Sequence, residues 1–360
     1  MAARKTLTAE QLACFKGIRA FLRDPSPARQ WCSIKDQAGS GKSTLLAEIA
    51  RENSRATVCA FTGKAASVLS RKIDMPVQTI HSAIMRFVGS YTDEHGKEEL
   101  AFKRHVTDGR WEGRVVLVDE DSQIPEDLAR DLLATGARVV TCGDPGQLPP
   151  VRGRQFFSDA DFELKQIHRQ AWDSPIIRQA YNARNCMPYE SDGEAFQVRK
   201  FIDAESILAA DIILCWRNAT RIELNRIKRG HLGLSGLPQT GEPVMCLKND
   251  HDVGVLNGAV YMLLEFGYDQ GEMLIGLMNE RDEYVRIRRA WFEGVNENNK
   301  GLDESTGFAF AYAATVHKAQ SDEWPMVILV DEYDRERDRE KWLYTGITRA
   351  AKQIIMQRNW

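Results

Sequence analysis

The seven cysteines are odd in number, scattered from Cys14 to Cys246, and never spaced as Cys-x-x-Cys. A zinc site or a disulfide framework is therefore not expected, whereas a reducing compartment is. Long apolar runs are also missing. No segment approaches the length needed to span a bilayer, and the opening MAARKTLTAEQ lacks the apolar stretch of a secretory signal. A cytoplasmic protein without a membrane partner is expected. Positive charge is not in excess either: 48 Lys and Arg stand against 51 Asp and Glu, a net charge of −3. A protein that held nucleic acid by bulk charge would be basic. Any such contact must come from a local track of cations and aromatics. Internal repeats and low-complexity tracts are absent as well.

What is present is a regular alternation. A first helix is expected after Thr8, with Leu12, Phe15, Ile18 and Leu22 at helical spacing, ending at Pro25 and Pro27. Short apolar runs then alternate with helical stretches: WCSIK and TLLAEIARE, ATVCAF and GKAASVLSRK, RVVLVDE and EDLARDLLATG, then RVVTCGD. Strands without polar alternation, each followed by a helix, imply a parallel sheet covered on both faces. The fold class is α/β. The pattern breaks at about 87–113 into a polar, glycine-punctuated stretch that reads as a small hairpin insertion. A second α/β pattern follows, interrupted at about 237–298 by a strand-rich stretch with the look of a small β-barrel. This divides the chain into 1–165 and 166–360, each with one insertion. The charge run Asp331–Lys341 reads as a solvated helix or loop.

The strongest chemical signal is DQAGSGKST, Asp36 to Thr44, between an apolar strand and an amphipathic helix. Glycines let backbone N–H groups close around phosphate oxygens, and a helix N-terminus adds positive potential. Ala38, Gly39, Ser40, Gly41, Lys42, Ser43 and Thr44 would form the cradle. Lys42 would reach the β- and γ-phosphates, and the Ser43 hydroxyl would hold Mg²⁺. The consensus is G-x-x-x-x-G-K-S/T, and Asp36 stands at its first glycine. The run VVLVDEDS places Asp119 and Glu120 at the end of a second apolar strand. Two adjacent acids there are unremarkable alone. One strand–helix module after a phosphate loop, Asp119 becomes a metal ligand and Glu120 the group that orients and deprotonates water. In TCGDPGQLPPV, a strand runs into Gly143, Asp144 and Gln147, with two prolines stiffening the exit. Gln147 can both donate to and accept from a phosphate or a water.

With these three motifs in order, the sequence resembles superfamily-one DNA helicases of the 5′→3′ branch, RecD-like and Dda-like. FTGKAA (Phe61–Ala66), TIH (Thr79–His81), IHRQ (Ile167–Gln170), ATVHKAQSDEW (Ala314–Trp324) and YTGITRA (Tyr344–Ala350) extend the likeness over nearly the whole chain. The resemblance implies two RecA-like domains with ATP between them, a pin-like hairpin in the first and an SH3-like barrel in the second. It matches Gln11 to an adenine-reading glutamine, although Thr8-x-x-Gln11 is equally a helix capping box. It matches Arg169 and Arg349 to arginines that neutralise the γ-phosphate from the second domain. Gln320 falls near the nucleotide. Phe61, Thr62, Lys64, His81, Thr315, His317 and Lys318 fall on the single-strand track, with Phe61 or Trp324 as base-stacking candidates. Asp121 stands where a small residue is usual, and Ser321 where a glycine is.

The implied activity is ATP-dependent translocation along single-stranded DNA and unwinding at single-strand/duplex junctions. ATP and Mg²⁺ are the implied cofactors, and single-strand-binding, replication or recombination proteins the implied partner class. Three alternatives stand beside it: a P-loop clamp or remodeller of nucleoprotein, a RecD-like subunit of a nuclease complex, and an RNA substrate, since phosphate-gripping side chains discriminate poorly. The short length and economical inserts suggest a compact stand-alone enzyme borne by a virus or mobile element, and the expected location is the cytoplasm of a bacterial or phage-infected cell.

Overall fold

In the computed structural model of the chain, the described residues are 7–24, 29–92, 98–104, 111–151, 153–165, 173–250, 252–297, 300 and 305–358. For 86–92 and 98–104 only the backbone is described. The chain divides into two compact units, Met1–Ser174 and Pro175–Trp360.

The first unit runs α1 (Ala9–Arg23), β1 (Trp31–Asp36), α2 (Lys42–Glu52), β2 (Ala56–Ala60), α3 (Gly63–Ile73), β3 (Val77–Thr79), α4 (Ile80–Ile84), β4 (Met85–Thr92), β5 (Glu98–Arg104), β6 (Val115–Val118), α5 (Glu126–Leu133), β7 (Arg138–Gly143) and β8 (Phe162–Leu164). Six strands form a parallel sheet in the order β3-β2-β6-β7-β1-β8. The pleat sends alternate residues to opposite faces. Cys32, Ile34, Val58, Leu117 and Val140 enter one core with Ile18, Leu46 and Ile49 of the helices. Cys59, Val116, Val118 and Val139 enter the other with Ile84, Leu128 and Leu132. Both faces are thus buried, which is why these strands lack polar alternation. β4 and β5 form a separate two-stranded antiparallel sheet, with a register shift between Phe87 and Gly89.

The second unit runs α6 (Pro175–Arg184), β9 (Phe196–Arg199), α7 (Ala204–Ala209), β10 (Ile212–Cys215), α8 (Asn218–His231), β11 (Pro243–Cys246), β12 (Val260–Met262), β13 (Glu265–Asp269), β14 (Glu272–Met278), β15 (Tyr284–Ile287), β16 (Trp291–Phe292), β17 (Gly307–Phe310), β18 (Ala313–Thr315), β19 (Trp324–Asp331), α9 (Arg339–Ile347) and β20 (Ala350–Arg358). Its parallel sheet has the order β18-β10-β19-β20-β9. Between β10 and β18 the chain builds two small sheets, β12-β11-β17-β16 and β13-β14-β15. They share one core containing Val244, Tyr261, Ile275, Leu277, Phe292 and Phe308. Pairing of β17 with β11 carries this strand-rich part to Phe310.

Helix α8 joins the small sheets to the larger one through buried charges. Arg221 grips Glu293 with 2.7 Å contacts to both oxygens. Arg229 is paired to Glu242 at 2.7 Å and lies 3.9 Å from the Phe310 ring centroid. Such pairs persist in an interior because each charge meets its opposite together with hydrogen-bond partners. In the run 331–341, residues 334–337 are exposed as the solvated reading expects, whereas the Asp331 end departs from it. The Asp331 carboxylate is buried and accepts a 2.6 Å bond from Arg339. One strand-end anion therefore anchors a stretch whose composition alone reads as surface.

Candidate nucleotide-binding site

β1 delivers the chain into a loop at the carboxyl edge of the first sheet, the edge where open α/β sheets bind ligands. Gly39 and Gly41 hold φ of 85° and 82°, left-handed values that a Cβ disfavours. Gly41 is the residue preceding α2, and no side chain caps that helix; the Thr44 N–H donates to Gly41 O at 3.0 Å, and the N–H groups of Lys42 and Ser43 before it are the ones oriented for an anion. Ser43 is buried on the first turn and Thr44 is half-buried. Ser40 is buried; its hydroxyl donates to Asp36 Oδ2 at 2.9 Å. Ala38 is half-buried beside Gly39.

Gln11 completes the capping box expected of Thr8-x-x-Gln11. Its Oε1 accepts from the Thr8 N–H at 3.0 Å, and its own N–H donates to Thr8 Oγ1, completing the capping box. Its Nε2 also donates to Ser40 O at 2.9 Å, within the phosphate loop. The helix cap is therefore tied to the loop by one buried side chain. Gln11→Ala removes both attachments. It is expected to cost about 1–2 kcal/mol of stability and to raise the KM for nucleotide, checked by thermal unfolding and steady-state ATPase.

The acids converge on the lysine. The charges of Asp36, Asp119, Glu120 and Asp144 all act on Lys42. Burial alone would lower its ammonium, but these carboxylates hold it well above its usual value. Burial raises the Asp119 carboxyl, against the opposing pull of Lys42. Glu120 adopts φ 57°, left-handed for a residue with a side chain. Its N–H donates to Asp119 Oδ1 at 3.0 Å, and Gln123 Nε2 donates to its Oε2 at 2.8 Å. Gln147 is buried with its Oε1 unpartnered, an acceptor suited to a water or an incoming donor. The Asp144 carboxylate accepts from Gly146 N–H at 2.8 Å and folds the loop that presents Gln147. Mg²⁺ prefers oxygen donors with phosphate completing its shell. The Ser43 hydroxyl and Asp119 carboxylate fit that chemistry. Among the described residues no cluster of three His, Cys, Asp or Glu could hold a metal unaided.

Asp121, a departure at sequence level, is the hub beneath this site. Its carboxylate is fully buried and accepts from Lys35 Nζ at 2.8 and 2.7 Å, from Ser33 Oγ at 3.2 Å and from Thr141 Oγ1 at 2.7 Å. Lys35 also donates to Phe157 O at 2.5 Å. One anion thereby joins β1, the segment after Glu120, and β7. A Cβ on Gly143 would lie 1.9 Å from Asp121 Oδ1, so glycine there leaves room for the carboxylate.

The remaining expected residues are dispersed. Phe61 packs against the second core of the first unit. Thr62 caps α3 by accepting from Ala65 N–H at 3.1 Å. Lys64 is buried in that helix's first turn. His81 lies on α4, where burial lowers its imidazole and Asp127 and Asp131 oppose that effect. Arg169 lies outside the described residues. Trp324 opens β19, its N–H donating to Arg349 O at 2.8 Å. Ser321 has φ 71°, which accounts physically for the glycine usual at that place.

In the second unit, β10 and β18 end side by side, Cys215 opposite Thr315. Thr315 is buried, its hydroxyl accepting from the half-buried Lys318 N–H at 3.4 Å. Just beyond the strand ends, the Trp216 and His317 rings lie 5.3 Å apart. Tyr333 packs 4.5 Å from Trp216, and the Arg335 guanidinium sits 5.1 Å from its ring centroid. Burial, then Arg335, lower the His317 imidazole. Sequence reasoning passed over Trp216. The signal was an aromatic directly after an apolar strand, in ILCWRN. Gln320 is half-buried in the turn that follows, its N–H donating to His317 O at 3.4 Å. Arg349 is buried just beyond α9, its guanidinium held by Thr345 O, Asp322 O and Thr348 Oγ1, each at 3.0 Å.

A parallel sheet whose edge carries a glycine loop, a lysine and two strand-end acids defines the P-loop nucleotide-binding class. The family profile described as AAA domain matches residues 7–188, more than half of the chain, and the chain belongs to that family. The profile described as UvrD-like helicase C-terminal domain matches residues 310–356, which include His317 and Arg349. The ATP-dependent RecD2 DNA helicase of Deinococcus radiodurans is 26% identical over 399 residues, covering 98% of this chain and 49% of that protein. The probable conjugal transfer protein TraA of Sinorhizobium fredii is 25% identical, covering 81% of this chain and 28% of that one. The chain thus spans half or less of the curated relatives it matches. Among solved structures, two coordinating Pif1 helicases at forked double-stranded DNA give a TM-score of 0.65 at 20% identity, covering 98% of this chain and 92% of that one. Bacteroides Pif1 with ADP-AlF3 and single-stranded DNA gives 0.62 at 18% identity, covering 98% and 93%. At those identities the likeness is one of fold. The RecD2 match and the UvrD-like segment bear out the resemblance to superfamily-one helicases of the RecD-like branch. Among the described residues, no helix is long and apolar enough to cross a membrane.

Proposed function

We propose that the chain is an ATP-driven motor that moves 5′→3′ along single-stranded DNA and opens duplex ahead of it. The observation that carries this is the joint presence, in one chain, of the loop around Lys42 and a UvrD-like segment holding Arg349. ATP is the proposed substrate, with Mg²⁺ on Ser43 and Asp119 supplying charge neutralisation at the β- and γ-phosphates. Glu120 takes the proton of the attacking water, and Gln147 senses the γ-phosphate. Gln11 and Gln320 complete the nucleotide contacts. Arg349, and Arg169 with it, would reach the γ-phosphate from the second of two RecA-like domains. A guanidinium delivered across a gap makes hydrolysis depend on closure, and the γ-phosphate then favours the closed form by a differential contact.

The proposed DNA track takes Thr62, Lys64 and His81 from the first unit, and Thr315, His317 and Lys318 from the second. Trp216 joins them as the base-stacking platform, favoured over Phe61, whose ring is engaged in a core. Trp216→Ala is expected to weaken single-strand affinity by about 1–3 kcal/mol, measured by fluorescence anisotropy at fixed salt. An unchanged affinity would remove Trp216 from the track. The β4–β5 hairpin is the proposed pin and the small sheets the proposed SH3-like barrel; the first splits the duplex and the second braces it. The deciding experiment is ATPase activity with and without single-stranded DNA, beside displacement from 5′- and 3′-tailed duplexes. DNA-stimulated turnover with 5′-tailed displacement is expected. Turnover without displacement would leave a clamp.

A further inference from the structure

The P-loop consensus has glycine where this chain has Asp36, and the substitution does not arise from backbone need. Asp36 is the last residue of a regular parallel strand, in register with Leu164, outside the left-handed region. Its side chain is buried, 3% exposed. One oxygen, Oδ2, accepts from the Ser40 hydroxyl at 2.9 Å. The other, Oδ1, has no hydrogen-bond partner and stands 4.0 Å from Lys42 Nζ. The lysine that a triphosphate requires therefore already faces an anion. The unsatisfied buried oxygen is directed at the same ammonium.

We propose that Asp36 is a built-in counter-ion for Lys42 that incoming phosphate must displace, and so sets the triphosphate affinity of this loop. The role rests on the reading of that loop as a nucleotide site. When the β- and γ-phosphates take over Lys42, Asp36 loses its counter-charge and gains anionic neighbours. A buried carboxylate in that position takes up a proton. The free protein is poised for this step. Burial, reinforced by the charges of Asp144 and Asp119 and opposed by Lys42 and the Ser40 hydroxyl, pushes the Asp36 carboxyl up to about 7. Cys142 is the further titratable group in electrostatic contact, and it stays a neutral thiol, pushed far up by burial. Binding raises the carboxyl further, so affinity is full below that value and falls as pH rises through it.

The expected size follows from protonating a group that titrates near 7. At pH 8 the cost is about a factor of ten, and at pH 6 close to none. Asp36→Asn and Asp36→Gly both remove the charge. Each should bind a fluorescent non-hydrolysable ATP analogue with Mg²⁺ about tenfold more tightly than wild type at pH 8, and equally at pH 6. The analogue's own phosphate titration is common to all three proteins and cancels in the ratio. Calorimetry in buffers of different ionisation enthalpy should count close to one proton taken up by wild type at pH 8, and fewer by either variant. Thermal melting confirms that the variants are folded, and the glycine variant restores the consensus residue should asparagine disturb the strand end. Equal affinity of all three proteins at both pH values overturns the counter-ion role alone. A wild-type chain that binds no nucleotide at either pH overturns the site reading, and the counter-ion role with it.

Discussion

Glu120→Gln is expected to lower DNA-stimulated ATP turnover by about 10²–10⁴-fold while nucleotide and single-strand binding persist. The amide is nearly isosteric and keeps an oxygen for the 2.8 Å contact from Gln123 Nε2. On the proposed mechanism, what is lost is the base. Glu120 follows a buried strand, its backbone is held left-handed at φ 57°, and its N–H is fixed by Asp119 Oδ1. These constraints fix the backbone, and the Gln123 contact holds one carboxylate oxygen. Single-turnover measurement separates the chemical step from product release. Turnover within a few-fold of wild type would remove Glu120 from the role of base. Lys42→Ala is expected to abolish turnover, but through binding, so its nucleotide Kd should rise where that of Glu120→Gln does not.

Breaking the Lys35–Asp121 pair should give the largest stability effect in the chain. Asp121→Leu leaves the Lys35 ammonium, 5% exposed, without its counter-charge, and Lys35→Met leaves a wholly buried carboxylate. Each is expected to cost about 3–5 kcal/mol. The double variant removes both charges and should recover most of that loss, since an apolar pair of similar volume is often neutral or better. Chemical denaturation of the four proteins completes the cycle. Additive losses would show that the pair does not act as a unit. The double variant also separates stability from positioning: Asp121 joins β1, the Glu120 segment and β7 through bonded contacts. Full turnover in a stable double variant would show that these contacts support the fold and not the geometry of Glu120.

Much of the architecture was legible because it rests on local rules. Buried strands of the type VVLV, each followed by an amphipathic helix, admit few arrangements other than a parallel sheet. The phosphate loop was legible for a similar reason: Gly39, Gly41 and Lys42 are close in sequence, and the backbone itself forms the cradle. The Thr8–Gln11 capping box is equally local. Less legible was any feature made by side chains distant along the chain. Asp121 read only as a misplaced charge, because its partner Lys35 lies 86 residues earlier. Trp216 gave little signal, because its neighbour His317 follows a different strand. Asp331 sat within a run whose composition suggested solvent, yet its position at the end of β19 buries it.

By itself the sequence determined the α/β class, the glycine–lysine loop and the strand-end acids, and the likeness to superfamily-one helicases, all carried by short-range patterns of apolarity, glycine and charge. Only the tertiary structure decided which charges neutralise one another: Lys35 with Asp121, Arg221 with Glu293, Arg229 with Glu242, and Lys42 facing Asp36. The division has one physical cause. Secondary structure follows from neighbours along the chain, whereas the free energy of a buried charge depends on what packing brings within a few ångströms of it.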